Sequence, residues 1–202
     1  MKHNLITLFP TAISVYENID PSFTEEDKRF INQCLNDVYE NVGNSTSGNT
    51  YVLEQLPKLK TLFTEKLKHH FYNVLEYVDE TEIYITQSWM NLAVKDEYHH
   101  AHRHPNSVLS GVFYLKTVDE DCISFDNSYR ADQVRPGIKN FNDYNSTLYN
   151  LNISDNMLVI FPSSLTHAVP PIKNKQTRIS LAFNSFVKGK VGRDDTLSSI
   201  TI

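Results

Sequence analysis

TEIYITQSWMNLAV, residues 81–94, decides the fold. Here the apolar repeat drops from about 3.6 residues to about 2, the period of a strand with alternating faces. Upstream, Ile31, Leu35, Val38 and Val42, with Cys34 beside them, follow Asp20, Pro21 and Ser22 at helical spacing, which predicts a helix over 20–42. A second helix is predicted through Leu56, Leu59, Phe63, Leu67, Phe71 and Leu75, with Pro57 tolerable in its first turn. Between them NVGNSTSGNT, residues 41–50, reads as a turn-rich loop. Downstream of residue 81, strands are expected near 82–94, 100–104, 107–117, 122–126, 147–152, 157–161, 165–169 and 177–187. Short strands at close intervals predict a mainly β jelly roll or small barrel with the two helices packed outside.

The 202 residues are enough for one substantial core, and composition shows no break. A single domain is expected, with a helical part over 1–80, a jelly-roll core over 81–187 and a weakly structured tail over 188–202. The polar stretch 127–146, which carries Tyr129, Arg130, Arg135 and Tyr144, is long enough to be a lid or a surface insertion. A formal charge of −5 argues against a nucleic-acid partner, and Lys58, Lys60, Lys66 and Lys68 read as the wet face of the second helix. No signal-type leader and no membrane-length apolar run is present, and Cys34 and Cys122 do not suggest a disulfide framework. The expected setting is cytoplasmic, away from the membrane, with a homodimer as the default assembly.

Five of the eight histidines fall in two places: His99, His100, His102 and His104 in EYHHAHRHPNS, and His167 in FPSSLTHAVPP. On a strand, positions i and i+2 share a face, so His102 and His104 can present two imidazoles to one point while Arg103 faces away. A third imidazole from a distant strand would complete a facial set for a metal ion. Arg178 follows His167 by eleven residues. A buried guanidinium there needs an anion, either a ligand carboxylate or a protein Asp or Glu.

HRHPNSVLSGVFYL (102–115), FPSSLTHAVPP (161–171) and RISLAFN (178–184), together with LFPTAI (8–13) and WMN (89–91), resemble the 2-oxoglutarate and iron(II)-dependent oxygenases of marine bacteria and their phages, which are distantly similar to prolyl hydroxylases. The resemblance implies a double-stranded β-helix (jelly roll, cupin-like) with the metal between two sheets. It implies Fe(II) as cofactor, 2-oxoglutarate as cosubstrate and ascorbate as a reductant. It puts His102, His104 and His167 in the ligand positions, with His104 standing where the usual carboxylate would be. Arg178 then matches the residue that grips the distal carboxylate of 2-oxoglutarate, assisted by Tyr114, with Ser180 and Ser110 as supporting hydroxyls and Asn91 as a further hydrogen-bonding group. Trp89, Arg130 and Arg135 become candidates for the substrate side, and Asn184 for the pocket. The implied reaction is oxidative decarboxylation of 2-oxoglutarate to succinate and CO2, coupled to hydroxylation of a small-molecule or peptide substrate.

The departure at residue 104 leaves the third ligand open between His104, Asp96, Glu97 and water. His99 and His100 read as supporting groups or surface residues, with one of them at the surface. Rival readings are a three-His cupin-type metalloenzyme that does not use 2-oxoglutarate, and a non-catalytic jelly-roll binding protein. A zinc hydrolase fits less well, because no Glu is well placed as a general base.

Overall fold

The computed structural model describes residues 1–126, 134 and 136–202, so Tyr129, Arg130 and Arg135 lie outside the described residues. The first strand, β1 (Ser14–Tyr16), is followed by α1 (Glu25–Asn36), the hairpin β2 (Val38–Asn41) and β3 (Asn44–Ser47), and α2 (Pro57–His69). Eight strands then follow: β4 (Thr81–Ala93), β5 (His99–His102), β6 (Leu109–Lys116), β7 (Cys122–Asp126), β8 (Leu148–Asn152), β9 (Met157–Pro162), β10 (Thr166–Val169) and β11 (Arg178–Val191). A short β12 (Ile200–Thr201) closes the chain.

One sheet has the order β1-β9-β6-β11-β4-β3-β2, with β12 paired to β11, and the other is β5-β10-β7-β8. From β4 to β11 the chain passes back and forth between these sheets. That path is the double-stranded β-helix, the expected jelly-roll architecture.

Both faces of the larger sheet are covered. Phe113, Leu158, Ile160, Leu181 and Phe183 pack under Leu59, Phe63 and Leu67 of α2. The opposite side chains Tyr114, Val159 and Phe161 meet Ile123 and Phe125 of the smaller sheet. This double burial makes β6, β9 and β11 nearly continuous apolar runs rather than clean alternations. Gly111 is required by the packing, since a Cβ there would lie 2.2 Å from Cζ of Phe183. Phe183 in turn stacks on Phe63 with ring centroids 5.7 Å apart.

In β4 the alternation slips. Asn184 of β11 pairs with Gln87 and Ser185 with Ile85, which leaves Thr86 as an extra, bulged residue. Ile83 and Ile85 before the bulge, and Met90 after it, therefore all reach the core beneath the helices. Trp89, Asn91 and Ala93 turn to the space between the sheets.

Several expected boundaries shift. The first helix begins at a capping box between Thr24 and Asp27 rather than near Asp20, and it ends at Asn36. Val38 belongs to β2 and Val42 to the turn after it, because the backbone of this stretch pairs as a hairpin. The expected loop 41–50 contains β3, which extends the larger sheet by pairing with β4. Beyond residue 187 the last strand continues to Val191 and is met by β12. Among the described residues no helix is long and apolar enough to cross a membrane.

Candidate metal centre

His102 and His167 face each other directly in the pairing of β5 with β10. Their ring centroids lie 4.3 Å apart. Each ring is oriented by its own backbone two residues earlier: His102 Nδ1 meets the carbonyl of His100 at 2.8 Å, and His167 Nδ1 that of Leu165 at 3.0 Å. A carbonyl only accepts, so Nδ1 carries the proton in both neutral rings and Nε2 presents a lone pair.

The expectation that His102 and His104 sit on one strand needs correction. β5 ends at His102, and His104 continues in extended chain held by its N–H to the carbonyl of Ser163 at 3.0 Å. Its imidazole nevertheless joins the others. Nε2 of His104 and Nε2 of His167 are 3.2 Å apart. Adjacent nitrogens of a facial ligand set, each about 2.0–2.1 Å from an ion, stand roughly 3 Å from one another.

Ligand atoms of His102, His104 and His167 all lie within 4.8 Å of one another. Burial keeps these rings neutral, the form that binds metal. His167 is pushed down to about 3 by desolvation and then by His102, and His104 to about 4 by the same two causes. His102 is also lowered by burial, opposed by its bond to the His100 backbone.

A second grouping, His99, His100 and His102, satisfies the same distance criterion and shares His102. It exists because β5 is bulged: Val169 pairs with His99 while His167 pairs with His102, so three steps on one strand match two on the other. The extra residue turns His99 to the same side as His102, and the two rings stack at 4.4 Å. Neither His99 nor His100 is at the open surface, contrary to the expectation for one of them, and Nδ1 of His100 is buried without a hydrogen-bond partner among the described residues. Asp96 and Glu97 belong to neither grouping. Asp96 is exposed and ion-paired with Lys95, and Glu97 accepts the N–H of Val94.

The cavity beside the imidazoles is also lined by Trp89, Asn91, Tyr114, Arg178 and Ser180. Register explains their convergence: Ser180 on β11 pairs with Tyr114 on β6 and with Asn91 on β4, and Arg178 pairs with Ala93. The Tyr114 hydroxyl is fully buried and has no hydrogen-bond partner among the described residues. Desolvation, partly offset by Arg178, pushes its pKa well above the usual phenol range. Asn91 accepts from Thr46 through Oδ1. Ser110, by contrast, is spent on Ser163 and Asn184, each at 2.8 Å, and does not line the cavity.

Sequence reasoning missed two residues. Asp121 holds Arg178 through an Oδ1–Nη1 contact of 2.8 Å, with the side chains only 2% and 6% exposed. Its only signal was an acidic run, Asp119–Asp121, just before a strand. Asn44 lines the cavity with its amide oxygen buried and, among the described residues, unpartnered, yet it falls in a segment that reads as loop.

The donor set suits an iron(II) ion. Three neutral imidazoles on one side leave the opposite side open, and the unpartnered Tyr114 hydroxyl beside Arg178 suits a ligand carboxylate in the same cavity. The double-stranded β-helix thus places convergent imidazoles and a buried guanidinium around one cavity between its sheets, a site able to take a metal ion with a carboxylate ligand beside it.

Residues 87–184, a span holding all of these imidazoles together with Tyr114 and Arg178, match the family described as "Putative 2OG-Fe(II) oxygenase". No curated protein matches the sequence. Solved structures share the fold at low identity. An oxidoreductase of the 2OG-Fe(II) oxygenase family from Burkholderia pseudomallei is 13% identical with a TM-score of 0.56, over 86% of this chain and 83% of that one. The carbocyclase SnoK of nogalamycin biosynthesis is 11% identical with a TM-score of 0.58, over 93% and 86%. HygX from Streptomyces hygroscopicus, solved with nickel, 2-oxoglutarate and hygromycin B, is 11% identical with a TM-score of 0.53, over 87% and 82%.

Proposed function

We propose that this protein is an iron(II)- and 2-oxoglutarate-dependent dioxygenase that hydroxylates a small-molecule or peptide substrate, forming succinate and CO2. The observation that carries this reading is the convergence of His102, His104 and His167 within 4.8 Å at a cavity that Arg178 and Tyr114 also line. The metal, when bound, would supply the activation of dioxygen and the oxidation itself.

In this reading the three imidazoles hold iron from one side, and the carbonyls of His100 and Leu165 keep two of the rings in the ligating tautomer. Arg178 and the Tyr114 hydroxyl take the distal carboxylate of 2-oxoglutarate, with Ser180 and Asn91 beside it. The Tyr114 proton stays in place at neutral pH, so this hydroxyl donates to an anion. Trp89, 5.8 Å from the His104 ring, walls the side left for substrate. We further propose that the chain works as one unit, since α1, α2 and the strands share one apolar cluster, and that it works in the cytoplasm, in keeping with the free thiols of Cys34 and Cys122.

One observation favours a second reading, a three-His metalloenzyme that does not use 2-oxoglutarate: Arg178 already has an anionic partner in Asp121. A single titration separates them. Under anaerobic conditions the iron-loaded protein should develop a weak visible charge-transfer band as 2-oxoglutarate is added. His167→Ala should lose the metal. Arg178→Ala should keep it but bind 2-oxoglutarate about ten- to a hundred-fold more weakly, the worth of hydrogen bonds to a charged group. Unchanged cosubstrate affinity in the second variant would establish the rival.

A further inference from the structure

Asp121 is a buried acid in a place where a cosubstrate anion would also be attracted, and this needs a physical reason. Its carboxylate is fixed by the N–H of Cys122 at 3.1 Å and of Val118 at 3.3 Å, and it holds Nη1 of Arg178 at 2.8 Å. Arg178 lines the cavity and Asp121 does not, so the acid stands behind the guanidinium rather than beside the ligand. Among the described residues no carboxylate joins the converging imidazoles of the metal centre. Three neutral ligands leave the whole charge of a divalent ion in place, and an isolated Arg178 would add another positive charge in a poorly solvated site.

We propose that Asp121 is a positioning residue that returns to the site the negative charge missing from its metal ligands, so that the combined metal and guanidinium present the double positive charge a 2-oxo dicarboxylate cancels. This rests on the iron and 2-oxoglutarate reading above. The charge that a ligand carboxylate would carry at residue 104 has moved to the far end of the cavity, behind Arg178. There it orients the guanidinium by one corner and sets the charge of the pocket without touching the cosubstrate.

Moving the charge back is the test. The readout is the dissociation constant of 2-oxoglutarate for iron-loaded protein without oxygen, followed by the charge-transfer band, with no turnover involved. Asp121→Asn keeps an acceptor for Nη1 and removes only charge; 2-oxoglutarate should bind about ten- to a hundred-fold tighter, as expected for one charge roughly 6–12 Å away at an effective dielectric near 20. His104→Asp, which leaves Asp121 in place, should weaken it by a similar factor. The double variant should return close to the wild-type value. Pyruvate, a 2-oxo monoanion, should respond less than half as strongly on a logarithmic scale.

A purely structural ion pair would lower the melting temperature of Asp121→Asn while leaving the 2-oxoglutarate constant within two-fold, and that result overturns the proposal. If Asp121→Asn does not fold, His104→Asp decides alone: unchanged or tighter binding overturns it. Wild-type protein that binds iron but no 2-oxoglutarate would instead remove the reading on which the proposal stands.

Discussion

Stripping the metal and lowering the pH should destabilise this protein far more than it would an ordinary protein of its size. His99 and His167 are pushed down to about 3 and His104 to about 4, each mainly by burial. A free imidazole titrates near pH 6.5, so on acidification the unfolded chain takes up protons before the folded one. The stability these rings contribute is complete above about pH 6.5 and drains away as the pH falls toward the folded values. At pH 5.5 each ring fully excluded from protonation would cost about 1.4 kcal/mol, and coupling within the cluster reduces the three together to roughly 2–4 kcal/mol. For a chain of this length that is a fall of about 4–16 °C in melting temperature. Thermal unfolding of chelator-treated protein at pH 7.5 and 5.5 measures it. Saturating iron(II), held anaerobically, should restore much of the loss at pH 5.5, because a ligand that binds only the folded state adds stability. Apo protein whose melting temperature is flat between these pH values would refute the picture of a buried, neutral imidazole cluster.

Two further predictions test the scaffold that carries the cluster. Gly111→Ala drives a methyl into the Phe183 ring, which cannot retreat because it is fully buried and stacked on Phe63; a loss of about 1–3 kcal/mol, read by urea denaturation, is expected. Deleting Thr86 removes the bulge of β4 and makes Ile85 and Gln87 direct neighbours, so Ile83, Ile85 and Met90 stay on the helix side and Trp89 and Asn91 on the other; the product should still unfold cooperatively, within about 1–2 kcal/mol of wild type. A deletion variant that loses its cooperative transition would mean that Thr86 is more than the one extra residue between two matched registers.

The two-helix, jelly-roll plan was readable because helical period is strong over α2 and short apolar runs bounded by polar turns mark β6, β9 and β11. The meeting of His102, His104 and His167 was readable for a different reason: five of the eight imidazoles gather in two short segments, and i, i+2 spacing brings two of them toward one point. What escaped was decided by the backbone rather than by side-chain pattern. Asn44–Ser47 has the composition of a loop, and it is a strand only because β4 offers it an open edge. Asp121 looked like one of three acids in a turn. Its burial follows from the path of that turn, where Glu120 adopts φ 55° and the next carboxylate swings in toward Arg178.

The bulges carry the same lesson into the site. Strict alternation puts His99 and His102, three residues apart, on opposite faces of β5, and a reader of the sequence would discard one of them. One extra residue in β5 relative to β10 rotates His99 back, so that four imidazoles rather than three crowd the cavity. The slip in β4 acts likewise, giving up one register step so that an aliphatic first half can face the helices while Trp89 and Asn91 face the metal centre. In both strands a local defect in pairing lets one segment serve two surfaces. Bulges of this kind gather where a sheet must present functional side chains as well as fill a core, which is why the residues hardest to place from period alone lie beside the cavity.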